Sequence, residues 1–147
     1  LQYPAIYKYT EELVEEYDIR TQSIHLSAHL LSGGNLQKLI LARKLSGNPE
    51  LLVAMHPTRG LDVGAVEFIH SRLLKAKSQG AAILLISTEL EEIMSLADRI
   101  IVLYEGEIMG SFPVDKYGLE DIGLMMAGAK RMGGSSCESG EDHPKTG

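Results

Sequence analysis

"LSGGNLQK", residues 31–38, stands directly before a run of apolar residues at helical spacing. Ser32 suits a helix N-cap, because its hydroxyl accepts a hydrogen bond from an amide of the first turn. The two glycines after it, Gly33 and Gly34, are costly to order and are poor helix formers. What they offer is bare backbone: free amides that, with the Ser32 hydroxyl, stand at the positive end of a helix dipole, the parts of an anion site. The same three residues also make an ordinary cap with a flexible approach. Ser-Gly-Gly alone leaves both readings open.

Working outward, Leu36, Leu39, Ile40 and the stretch 42–45 continue a helix over 34–45, which "GNPE" at 47–50 breaks. Upstream, Tyr9, Leu13, Val14 and Tyr17 share one helical face over 9–17. Downstream, 51–54 is a short apolar run suited to a buried strand. An amphipathic helix follows over 63–79, with Val66, Ile69, Leu73 and Leu74 on one face, and Gly80 ends it. A second buried strand is predicted at 82–87, a helix at 90–97 and a third strand at 99–104. "YEGEIMG" turns at Glu105-Gly106 into a returning strand at 107–110, and a last helix is predicted over 119–129. Strands alternating with helices give an α/β class with three parallel strands flanked by helices. So small a sheet leaves exposed edges, through which self-association is expected.

The 147 residues carry a net charge of −6 with 44% hydrophobic and 23% charged residues. That is globular composition with a core, and the acidic balance argues against a nucleic-acid partner. The single cysteine, Cys137, excludes a disulfide framework. His25, His29, His70 and His143 lack metal-ligand spacing, and the Met125-Met126 pair reads as helix packing. No apolar run approaches the ~18 residues of a membrane span, and the opening residues do not read as a signal peptide. The chain starts at Leu1, inside a helical pattern, and is expected to be a piece of a longer polypeptide. From Gly133, "GGSSCESGEDHPKTG" lacks apolar residues and is expected to be disordered.

The order of the motifs carries a resemblance. LSGGNLQK is followed by the 51–54 strand, by "HPTRGLD" at 56–62 and by "STELEE" at 87–92. The chain resembles the nucleotide-binding domain of ATP-binding cassette (ABC) transporters over roughly residues 1–130. LSGGNLQK looks like the family signature, 51–56 like the Walker B segment and Gly60-Leu61-Asp62 like the D-loop. "PTRGLDVGA" and "YEGEI" look like the second cassette of the fused double ATPases of bacterial simple-sugar and nucleoside importers.

The resemblance implies the C-terminal part of a P-loop NTPase core, lacking the phosphate-loop half. In this partition 1–30 ends the helical signature subdomain, 31–130 belongs to the ATPase core and 131–147 is a tail. Two cassettes of the family sandwich ATP head to tail, each site joining one cassette's phosphate loop to the other's signature. Ser32, Gly33, Gly34, Gln37 and Asp62 would then contact nucleotide held mainly by a partner cassette. Gln37 and Lys38 would add polar contacts, with a solvated helix face as the competing reading for both. Asp62 also reads as the N-cap of the 63–79 helix. Arg59 reads as a loop residue near the interface or as a surface charge.

Departures from the family pattern are as informative. No G-x-x-x-x-G-K-[ST] loop exists; "GLMMAGAK" at 123–130 puts Ala129 between glycine and lysine, inside a predicted helix. Where the family has Asp-Glu after the Walker B strand, this chain has Met55-His56, and Thr88 stands at the switch-histidine position. A thioether cannot stand in for the oxygen ligands that Mg²⁺ wants. No catalytic residue is therefore assigned in this chain, and its own nucleotide site is expected to be degenerate.

The resemblance further implies ATP and Mg²⁺ as cofactors of an intact transporter, with none expected for this chain alone. Its partners would be a first ATPase cassette and membrane permease subunits, on the cytoplasmic face of the membrane. Rival readings are a non-transport ABC ATPase (a chromosome protein of the SMC type or a translation factor) and a nucleotide-independent structural module. The non-transport rivals usually keep the Walker B carboxylates.

Overall fold

The computed structural model describes residues 2–133. The expected disorder of the tail, Cys137 and His143 lie outside the described residues, apart from Gly133 itself. The chain divides into two compact units, Leu1–Thr88 and Glu89–Gly147. The division falls inside the 31–130 segment.

In the first unit, helix α1 spans Tyr3–Glu16 with a proline in its first turn, where no amide is missed. It stops at Asp18, which takes a left-handed conformation (φ 46°), and Tyr17 and Ile19 turn inward and are buried. A single 3₁₀ turn, Ala28–Leu30, precedes helix α2, Gly33–Leu45, which Ser32 caps. Strand β1, Leu51–Met55, leads to helix α3, Val63–Ser78, capped by Asp62. Lys75 and Lys77 sit in the last turn of α3, favourably for its dipole. Gly80 follows at φ 99°, and its amide and that of Ala81 bond the carbonyls of Lys77 and Ala76. Strand β2, Ala82–Ile86, then pairs in parallel with β1, from Leu51 opposite Ala82 to Met55 opposite Ile86. α2 packs on α3 and α3 on β2. Leu41, Ala42, Leu52, Ile69, Leu73 and Ala76 are buried, whereas Leu51, Val53 and Met55 of β1 and Leu84 and Ile86 of β2 are exposed. Apolar residues on both faces of these strands produced the two-sided buried pattern in the sequence.

In the second unit, helix α4, Leu90–Leu96, precedes strand β3, Arg99–Tyr104. Glu105 (φ 46°) and Gly106 (φ 83°) both take left-handed conformations, as a two-residue type I′ hairpin turn requires. Strand β4, Glu107–Pro113, returns antiparallel to β3, with a bulge between Val102 and Leu103. Helix α5, Leu119–Met126, closes the unit over Ile100, Val102, Met109 and Phe112, contributing Ile122 and Met125.

The expected third parallel strand is thus corrected. Among the described residues only β1 and β2 pair in parallel, while β3 forms a separate antiparallel ladder with β4. The tight Glu105-Gly106 turn brings β4 back at once onto β3's hydrogen-bonding edge. The returning strand also runs to Pro113 rather than ending at 110. Gly128 follows α5 at φ 77°, and a Cβ there would run into the Tyr104 ring. The second glycine of "GLMMAGAK", Gly128, therefore serves packing in the second unit.

Candidate functional site

Ser32 sits in extended conformation (φ −62°, ψ 158°) at the mouth of α2 and is exposed. Its carbonyl accepts the first intrahelical bond, from the Leu36 amide at 2.8 Å. The amides of Gly33 and Gly34 precede that bond, and the first amides of any helix have no intrahelical acceptor. Ser32 Oγ accepts from Asn35 Nδ2 at 2.9 Å and, over a longer 3.5 Å, from the Asn35 backbone amide. Hydroxyl, bare amides and helix dipole converge here on groups that favour an anion.

The D-loop-like segment lies against the same turn. A Cβ added to Gly33 would sit 3.9 Å from Leu61 Cδ2. One added to Gly34 would sit 3.3 Å from Ala65 Cβ and 3.8 Å from Asp62 Oδ2. The second glycine thus has a packing reason of its own, since α2 and α3 approach each other closely there. Asp62 Oδ1 accepts from the Ala65 amide at 2.9 Å, so the carboxylate caps α3 while lying beside the start of α2. Tertiary structure brings Ser32, Gly33, Gly34 and Asp62 together. Gln37 lies half-buried further along α2, and Arg59 is exposed, its amide donating to the His56 carbonyl at 3.3 Å.

Lys38 is neither a solvated charge nor a group of the exposed mouth. Its residue is 9% exposed, and Nζ donates to the Asp18 carbonyl at 2.9 Å and to Asp18 Oδ2 at 2.7 Å. The ammonium also lies 4.5 Å from the centre of the Phe68 ring. The hydrogen bond and charge of Lys38 hold the Asp18 carboxyl below the usual aspartate range. One residue pair further, Asn35 Oδ1 accepts from the Arg20 amide at 2.8 Å. Two polar side chains three residues apart on α2 therefore clamp the 18–20 loop. Sequence reasoning missed Asn35, Asp18 and Phe68; the i, i+3 spacing of Asn35 and Lys38 was the available signal.

Met55, His56 and Thr88 stand at the carboxyl ends of neighbouring parallel strands, where open α/β sheets place ligands. The His56 amide extends the ladder by donating to the Ile86 carbonyl at 2.8 Å, and its backbone is left-handed (φ 46°). Met55 is 70% exposed and Thr88 is exposed. This donor set does not fit Mg²⁺: a soft thioether replaces a hard oxygen ligand. Among the described residues no group of three or more His, Cys, Asp or Glu gathers. Nor is any helix among them long and apolar enough to cross a membrane.

No protein-family model matches the chain. It is similar to the guanosine import ATP-binding protein NupO of Bacillus subtilis, 49% identical over 124 residues that are 84% of this chain and 24% of that protein. It is likewise similar to the glucose import ATP-binding protein TsgD13 of Haloferax volcanii, 46% identical over 132 residues, 87% of this chain and 24% of that one. Among solved structures, the dimeric ATP-binding cassette MJ0796 bound to ADP and Pi superposes with a TM-score of 0.64 at 25% identity, over 75% of this chain and 47% of that one.

The fold is that of ABC ATPase cassettes, a P-loop NTPase class. More particularly, the chain is homologous over about 85% of its length to nucleoside and sugar import ATP-binding proteins. It spans about a quarter of the length of these curated relatives.

Proposed function

We propose that this chain is part of the ATP-binding motor of an ABC importer for a monosaccharide or nucleoside, from the C-terminal part of the second cassette of a fused double ATPase. Ser32, Gly33, Gly34 and Asp62 complete a nucleotide site whose phosphate loop belongs to the first cassette. The chain's own site, at Met55, His56 and Thr88, is degenerate. In the assembled transporter the motor lies on the cytoplasmic face of the membrane against the permease subunits, with ATP and Mg²⁺ as cofactors.

The observation that carries this reading is the convergence of the Ser32 hydroxyl, the first amides of α2 and Asp62 on one turn. Charge-assisted hydrogen bonds from the hydroxyl and the amides to a γ-phosphate are worth about 1.5–3 kcal/mol each. Phosphoryl transfer depends on that positioning and electrostatic support. Gln37 would add a polar contact at the same site. The exposed apolar face of β1 and β2 fits a chain that works within a larger assembly.

The experiment is ATP turnover by the intact motor. Ser32→Arg should abolish turnover, because a bulky cation fills the phosphate approach. His56→Ala should change it little at equal protein level. Loss of turnover in His56→Ala would overturn the degenerate-site assignment, and full turnover in Ser32→Arg would overturn the role of residues 32–34. The isolated chain should show no micromolar ATP binding by calorimetry.

A further inference from the structure

We infer that Asn35 is a positioning residue that fixes the Ser32 hydroxyl as an outward hydrogen-bond donor. The inference rests on the proposed role of Ser32 toward nucleotide phosphate and adds to it the means by which Ser32 is oriented.

The Arg20 amide decides which way the Asn35 side chain faces. A backbone N–H can only donate, so the Asn35 atom 2.8 Å from it must be the carbonyl oxygen. The Asn35 NH₂ group is thereby turned toward Ser32 Oγ, 2.9 Å away. Ser32 Oγ has two lone pairs and one hydrogen. The NH₂ group occupies one lone pair and the Asn35 backbone amide, at 3.5 Å, lies against the other. What remains to Ser32 is the O–H, and with its acceptor capacity engaged it faces a ligand as a donor. A phosphate oxygen, which only accepts, is matched; a ligand group that must donate is refused.

The fixed point of this relay is the 18–20 loop. Asp18 offers Lys38 both a carbonyl and a carboxylate oxygen, and the same ammonium lies over the Phe68 ring, 4.5 Å from its centre. Lys38 thus holds the loop that orients Asn35, which orients Ser32. The Asn35 amide is a fixed template only as long as the Arg20 amide stays in place. Neither Asn35 nor Lys38 is placed in contact with the nucleotide.

Asn35→Asp separates this role from a merely structural one. The carboxylate can still accept from the Arg20 amide, but its other oxygen offers Ser32 an acceptor. The Ser32 hydrogen is drawn inward, and the donor is lost. An acidic residue in the first turn of a helix favours the dipole, so stability should hold or rise. In the intact motor, Asn35→Asp should lower kcat for ATP hydrolysis about 10- to 100-fold, the loss of one charge-assisted donor. KM and the thermal midpoint should change little. The combined variant Ser32→Ala/Asn35→Asp should be no slower than Ser32→Ala alone, because both remove the same donor.

Asn35→Asp retaining full kcat while Ser32→Ala loses it would overturn the inference and leave the proposed role of Ser32 standing. So would additive losses in the combined variant, or a loss of kcat matched by a fall in thermal midpoint. Full kcat in Ser32→Ala would overturn the role of Ser32 itself, and this inference with it.

Discussion

Substituting the two glycines separately tests why they are adjacent. Gly33 and Gly34 occupy the first two positions of α2, so replacing either with alanine gains a similar propensity, up to about 1 kcal/mol. The tertiary surroundings differ. At Gly33 the added methyl meets Leu61 Cδ2 at 3.9 Å, an ordinary contact. At Gly34 it meets Ala65 Cβ at 3.3 Å, closer than the optimum of about 3.5–4.0 Å between carbon atoms. Ala65 is buried on α3 and has no rotamer with which to yield, so the two helices must part by a few tenths of an ångström. Gly33→Ala should therefore stabilise by up to about 1 kcal/mol. Gly34→Ala should fall about 1 kcal/mol short of it, near neutral, since overpacking offsets the propensity gain. With valine the contrast widens, and Gly34→Val should destabilise by about 1–3 kcal/mol. The assay is urea unfolding at equilibrium followed by far-ultraviolet circular dichroism, with m-values compared to confirm an unchanged unfolded state. Equal tolerance of alanine and valine at both positions would refute the close approach of α2 and α3 as the reason for the second glycine.

Two further outcomes follow from the same unit. Asp62→Ala should lose about 1 kcal/mol of stability through the lost cap, while Asp62→Asn should keep most of it, because an amide oxygen can accept from Ala65 as well; equal losses in urea unfolding would count against the cap. Asp18 has a carboxyl pKa depressed by Lys38, so its contribution is present above the unfolded value of about 3.9 and is lost as pH falls through the folded value. Asp18→Asn should flatten the acid limb of the stability profile below about pH 4 and lower stability at neutral pH, measured by urea midpoints across the range; an unchanged acid limb would show that the pair contributes nothing.

Local chemistry was legible wherever it was local. Ser32 and Asp62 read as caps because a short oxygen-bearing side chain three residues before a free amide has few other uses, and both cap as read. Gly80 ended its helix and Glu105-Gly106 made its hairpin because left-handed backbone is cheap at glycine and allowed at a turn. The motif order also sufficed for the fold class and for the likeness to import ATP-binding proteins, since a linear pattern of motifs survives without knowledge of contacts.

Tertiary structure decided what depends on partners distant in the chain. Lys38 sits on a helix near whose mouth polar residues gather, and nothing in its neighbours along the sequence announces Asp18, twenty residues back, or the Phe68 ring, thirty ahead. Gly34 looks like one more bare amide until Ala65 is seen pressed against it. The apolar strand at 99–104 carries the pattern of a parallel strand, yet which edge it pairs with is set by the turn that follows, not by its own residues. Hydrophobic pattern and caps are properties of a segment and can be read from the segment. Register, burial of charge and close helix approach belong to pairs of segments, and only the folded chain brings those pairs together.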